Sequence, residues 1–140
     1  MKIVRDGMDF ALKQGERTIL ESTKTNPMIY VGRGQESVDM YRGNFKIQDY
    51  LTERCPLAVT EIRENADGVT LVLGEALDVV VKLDGDCAVL NFTQKDEKIN
   101  RFWIRLQADK DEHCYGCGEQ ISYFDLRGRN FPLWSSEPGN

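Results

Sequence analysis

Leu77-Asp78-Val79-Val80-Val81-Lys82-Leu83-Asp84-Gly85-Asp86-Cys87-Ala88-Val89-Leu90-Asn91-Phe92 decides the fold class. Leu77, Val79, Val81 and Leu83 are apolar, with Asp78 and Lys82 between them. Ala88, Leu90 and Phe92 repeat the pattern around Val89 and Asn91. Successive side chains of a strand point to opposite faces, so the alternation turns one set to a core and the other outward. Asp84-Gly85 stands between the two runs, and Asp-Gly is a favoured hairpin dipeptide. The stretch reads as two antiparallel strands joined by a tight turn.

The same signals recur on both sides. Asn65-Ala66-Asp67-Gly68 separates the run over residues 57–63 from the one over 69–73. Phe102, Ile104 and Leu106 alternate with Trp103 and Arg105, which puts Trp103 on the face opposite the other three. Gly15, Gly32, Gly34 and Gly43 mark earlier turns. No window of helical length holds an i, i+3, i+4, i+7 stripe; the best helical candidate is the first dozen residues, weakened by Gly7. Short strands with turns between them predict an all-β antiparallel sandwich, with residues 1–140 as one domain.

Composition narrows the function classes. Hydrophobic residues make up 41% and charged residues 29%, which suits a globular domain and not a disordered one. No apolar stretch approaches the roughly 18–20 residues of a membrane helix, so no membrane partner is expected. The formal charge is −5 and there is no basic run, which argues against nucleic acid as a partner. With 140 residues the chain is too short for a (β/α)₈ barrel, which needs about 200. The amino terminus has no apolar leader, because Asp6 and Asp9 interrupt it, so a cytoplasmic location is expected. Cys55, Cys87, Cys114 and Cys117 are too few for a disulfide scaffold and read as free thiols.

The last forty residues carry the candidate motifs. Cys114-x-x-Cys117 is half of a zinc site at most, with one adjacent histidine, His113, and no second pair. It also lacks the βαβ context of a redox pair. The reading is a glycine-rich turn that carries two thiols, with no metal and no cofactor. Gly116-x-Gly118 lacks the Lys-Ser/Thr of a phosphate loop and reads as a backbone turn. His113, Ser122 and Asp125 could make a hydrolytic triad, but no nucleophile elbow supports it. Glu119 and Glu137 are the carboxylates to weigh, since glycoside hydrolysis uses a carboxyl pair; both sit in polar turns where a solvated or capping role is the default. Trp103, Tyr115, Tyr123, Phe124, Phe131 and Trp134 are an aromatic-rich group that packs a core or interface more readily than it stacks on sugar. Two strand-like pieces, residues 121–126 and 131–134, precede a Pro-Gly loop. Stopping on that loop directly after a Trp-bearing strand suggests a chain that continues past Asn140.

The stretch from Arg101 to Gly139 resembles glycoside hydrolase family 31, the α-glucosidase and α-xylosidase family. The residues that carry the likeness are Phe-Trp-Ile-Arg-Leu (102–106) and Glu112-His-Cys-Tyr-Gly-Cys-Gly-Glu119. They continue with Asp125-Leu-Arg-Gly128 and Pro132-Leu-Trp-Ser-Ser-Glu137, a series most similar to the sulfoquinovosidase branch. The resemblance implies a galactose-mutarotase-like sandwich at the amino terminus of a retaining α-glycosidase. Its nucleophile and acid would be aspartates in a following (β/α)₈ barrel, so this chain would hold no catalytic residue and be inactive alone. Residues 109–140 would lead toward that barrel, which would be a partner within the same chain. The substrate would be an α-glycoside or sulfoquinovoside. Trp134, Ser135, Ser136 and Glu137 would form a loop at the substrate entrance, with Glu137 accepting hydroxyl hydrogen bonds from the leaving-group sugar. Tyr115, Gly116, Gly118 and Glu119 would form the packing turn that sets this loop's position.

Two other readings compete. A stand-alone carbohydrate-binding module needs no barrel. A cysteine-dependent metal or redox protein would rest on Cys114 and Cys117. The barrel-dependent reading expects an exposed apolar patch, near Trp103 or Trp134, where the missing domain docks.

Overall fold

The structure, a computed structural model, describes residues 1–116 and 123–130, without the side chains of Asn44 and Phe45. Ten strands run in chain order among them. They are β1 (Lys2–Asp6), β2 (Asp9–Gln14), β3 (Arg17–Ser22), β4 (Ile29–Tyr41), β5 (Asn44–Leu57), β6 (Glu61–Asn65), β7 (Gly68–Leu73), β8 (Leu77–Asp84), β9 (Cys87–Gln94) and β10 (Arg101–Ile104). They form three sheets ordered β1-β2-β3, β10-β4-β5 and β6-β7-β8-β9. Every pairing with a described register is antiparallel. The described residues hold no helix, as the alternation requires.

The chain divides into two compact units, Met1–Glu36 with Asp49–Gln107, and Ser37–Gln48 with Ala108–Asn140. The first unit holds the core. Its centre is β8, flanked by β7 and β9, with Leu77, Val79 and Val81 buried and Lys82 exposed. Asp84 pairs with Cys87, so Gly85-Asp86 is the two-residue turn. Leu71 and Leu73 of β7 join the core, with Phe10 and Leu12 of β2, Leu20 of β3, and Ile29 and Val31 of β4. Ser22 is the buried polar residue of this layer, and its hydroxyl accepts a hydrogen bond from the Met28 N–H.

The helical candidate over the first dozen residues is overturned. Those residues are β1 and β2, a hairpin that pairs Asp6 with Asp9. The alternation Phe10, Leu12 at period two wins over propensity, because burying that face in the core stabilises more than local helix preference.

β10 behaves as expected on one face and differently on the other. Phe102 and Ile104 lie opposite Val31 and Ile29, so they share the core face, yet both are exposed because β10 is an edge strand. Trp103 turns to the other face and is half-buried, with the Arg54 guanidinium 4.8 Å over its ring and 4.9 Å over Tyr30. Its ring lies across Gly32, where a Cβ would stand 2.9 Å from two ring carbons and 2.4 Å from the Glu53 carbonyl. The exposed apolar side chains next to Trp103, Phe102 and Ile104, are therefore on the reverse of that strand; Trp134 lies outside the described residues.

The second unit includes the tip of the β4–β5 hairpin. Arg42 and Gly43 close it, with Val38, Met40 and Tyr41 exposed along its end.

Candidate functional site

Of the eight residues singled out for the entrance loop and its packing turn, Tyr115 and Gly116 are described. Gly118, Glu119, Trp134, Ser135, Ser136 and Glu137 lie outside the described residues, as do Cys117 and Ser122. The geometry that can be read is the turn system around Tyr115, within the second unit.

That system is built on Asp125. Its Oδ2 is 2.6 Å from His113 Nδ1. Its Oδ1 accepts the N–H of Cys114 at 3.2 Å and the N–H of Arg127 at 3.1 Å. Two more bonds close the same loop, from Leu126 N–H to Cys114 O at 2.7 Å and from Arg127 Nη1 to Glu112 O at 2.5 Å. Asp-Leu-Arg-Gly folds this way because an aspartate side chain bonds the backbone two residues on, a tight turn that competes with extended strand. The strand-like reading of residues 121–126 is accordingly corrected at its described end: 123–126 is not a strand.

The bond from His113, then those from the Arg127 and Cys114 amides, hold the Asp125 carboxyl down to about 2. An ionised carboxylate only accepts, so the His113 Nδ1 is the donor and carries the hydrogen. This arrangement holds a backbone; it is a poor proton acceptor, because a carboxylate held so acidic and with its lone pairs engaged has little basicity to offer. His113 and Asp125, two members of the imagined triad, thus do meet, in a clasp. The signal in the sequence was Asp125 two residues before Arg127, an Asx-turn spacing; the partner at His113 could not be read from spacing.

Tyr115 rides on the clasp. Its ring stacks beside His113 at 6.0 Å and meets Phe124 at 5.0 Å. Gly116 follows at φ 102°, a backbone state that a side chain would strain. Phe124 is almost wholly exposed, and Arg129 sits 4.2 Å over the Tyr123 ring. Cys55, Cys87 and Cys114 are free thiols. Among the described residues no group of three or more His, Cys, Asp or Glu is arranged to hold a metal. No described helix is long and apolar enough to cross a membrane.

The family model of the glycosyl hydrolase 31 N-terminal galactose mutarotase-like domain matches residues 4–140. A sulfoquinovosidase of Agrobacterium fabrum is 47% identical over 137 residues, which is 96% of this chain and 20% of that protein. A sulfoquinovosidase of Escherichia coli is 40% identical over 135 residues, 93% of this chain and 20% of that protein. Among solved structures, a GH31 family sulfoquinovosidase from E. rectale in complex with the aza-sugar inhibitor IFGSQ superposes with a TM-score of 0.93 at 57% identity. That match covers 99% of this chain and 21% of the solved one. The chain therefore spans about a fifth of the length of these relatives.

Proposed function

The chain belongs to the glycosyl hydrolase 31 N-terminal galactose mutarotase-like family, and on that premise we propose that it is the amino-terminal sandwich of a retaining α-glycosidase acting on sulfoquinovosides. The observation that carries the proposal is the match of nearly the whole chain to one fifth of each sulfoquinovosidase. In this reading residues 1–140 are one structural domain, and residues 109–140 lead into a catalytic barrel that follows. Chemistry belongs to that barrel: a carboxylate displaces the leaving group, and water then releases the sugar from the covalent intermediate. The free thiols of Cys55, Cys87 and Cys114, among the described residues, support a reducing, cytoplasmic compartment.

The sandwich contributes a loop. Trp134, Ser135, Ser136 and Glu137 stand at the substrate entrance, and Glu137 accepts hydroxyl hydrogen bonds from the leaving group. The turn of Tyr115, Gly116, Gly118 and Glu119 sets the loop's position. The Asp125 clasp supports this reading, since it fixes the described part of that turn. A charged hydrogen bond of about 1.5–3 kcal/mol corresponds to roughly 10–150-fold in affinity.

The test uses the full-length protein and two α-sulfoquinovosides, one with a hydroxylated alkyl leaving group and one with a plain aryl leaving group. Glu137→Ala should raise KM for the first by about tenfold or more and leave the second nearly unchanged. An equal loss on both substrates would remove Glu137 from leaving-group recognition. Hydrolysis of neither by the unaltered protein would sink the activity itself.

A further inference from the structure

The β10-β4-β5 sheet has a face that turns away from Ile29 and Val31, and two arginines on it have no carboxylate partner among the described residues. Tyr30 of β4 stands opposite Trp103 of β10, and both are half-buried. Arg54 of β5 lies over both rings, 4.9 Å from the centre of Tyr30 and 4.8 Å from that of Trp103. The Arg105 guanidinium stands 6.0 Å from the same Tyr30 ring. Its Nη1 donates to Asn26 Oδ1 at 2.9 Å and to the Tyr30 hydroxyl at 3.4 Å. Among the described residues no hydrogen bond or ion pair engages its Nε or Nη2, and none engages the Arg54 guanidinium. A cation–π contact uses no N–H, so both guanidiniums keep donors open.

Open arginines stand out in this chain, which holds 23 acidic residues against 18 basic ones. Arg5 pairs with Glu64, Arg33 with Glu53 and Asp96, Arg63 with Glu61, and Arg101 with Asp49. Glu53 precedes Arg54 in β5, but alternation turns it to the opposite face, where Arg33 takes it. Glu21 lines the same small recess as Arg105, yet its Oε1 accepts from the side-chain amides of Asn26 and Gln107 instead. Two like charges therefore flank one ring with no anion of this chain between them.

The geometry points to an oxyanion-binding site on this face, in which Arg54 and Arg105, held by Tyr30 and Trp103, bind a sulfonate or phosphate group. A guanidinium presents a planar fork of donors that matches such oxygens, and charge-assisted bonds of this kind are among the strong ones. Two forks offer more donors than the two oxygens of a carboxylate can fill, whereas a group with three terminal oxygens can meet both. Stacking on two rings restrains Arg54 before the ligand arrives, which lowers the ordering cost of binding. Trp103 lies across Gly32 on one side and under Arg54 on the other, so its faces are taken and no sugar ring stacks there. Recognition is of the charged group, whichever small molecule carries it. Every residue of the site lies in the first unit, and the inference does not depend on the proposed function.

The test incorporates 5-fluorotryptophan into the full-length protein and follows the Trp103 signal by fluorine NMR, assigned by its loss in Trp103→Phe. Sodium methanesulfonate and sodium phosphate are titrated against sodium acetate and sodium chloride at equal ionic strength, which separates binding from screening. A saturable shift with methanesulfonate, phosphate or both is expected, and whichever acts names the group. No shift, or an equal shift with acetate or chloride, overturns the inference. Arg54→Gln should weaken the titration by about tenfold or more, and Arg54→Lys, which keeps the charge and loses the fork, should fall between. Should Arg54→Gln fail to fold, Arg105→Gln carries the same expectation. Unchanged affinity in the folded variant overturns the inference. Hydrolysis of an aryl α-sulfoquinovoside is assayed separately: its absence in the unaltered protein counts against the proposed function and leaves the oxyanion site standing.

Discussion

Asp125 and Gly32 show two ways in which one residue is committed by its surroundings. The Asp125 carboxyl is held from the usual 3.8 down to about 2, first by His113 and then by the two backbone amides. A depressed carboxylate contributes stability above its unfolded value and loses it as pH falls through its folded one. The clasp should therefore persist at pH 5, contribute less stability as pH falls below about 4, and be half open near pH 2. The amide signals of Cys114 and Arg127, followed by NMR, should move through that window with a midpoint near 2; a midpoint near 4 would mean that the bonds are not made. Gly32 is committed by space. A methyl group there would press on the Glu53 carbonyl and the Trp103 ring together, and the carbonyl cannot retreat without moving its strand. Gly32→Ala should destabilise the chain by about 2 kcal/mol or more in urea unfolding. Nothing in the residues 29–34, read alone, distinguishes this glycine from Gly15 or Gly43.

The strands separate what alternation shows from what it hides. In β8 Leu77, Val79 and Val81 are buried and Lys82 is exposed, as the sequence pattern states, while Leu83 near the strand end is half-buried. In β10 the same pattern assigns the correct face but not the burial, because an edge strand shares only one neighbour and the core ends beside it. Truncations should separate the two cases. Leu71→Ala, in the middle of β7, should cost about 2–5 kcal/mol through lost burial and the cavity left behind. Leu106→Ala, just past β10 and largely exposed, should stay within about 0.5 kcal/mol. Denaturant midpoints of the two variants check this; equal losses would mean that the rim is as closely packed as the centre.

As a whole, the molecule is a piece of antiparallel sandwich whose relatives are about five times longer. The chain alone should release no product from an aryl α-sulfoquinovoside, while the full-length protein should turn it over; hydrolysis by the 140-residue chain would place catalytic groups within it. The period-two alternation, the turn dipeptides and the lack of a helical stripe determined the fold class by themselves, because strand periodicity is local. The ordered motifs from Phe102 to Glu137 were equally local and were enough to point to the family. The tertiary structure alone decided which alternating faces are covered, that Arg54 lies over Trp103, and that His113 closes on Asp125. Those outcomes depend on which distant segments meet, and contacts between residues far apart in the chain leave no periodic trace in the sequence.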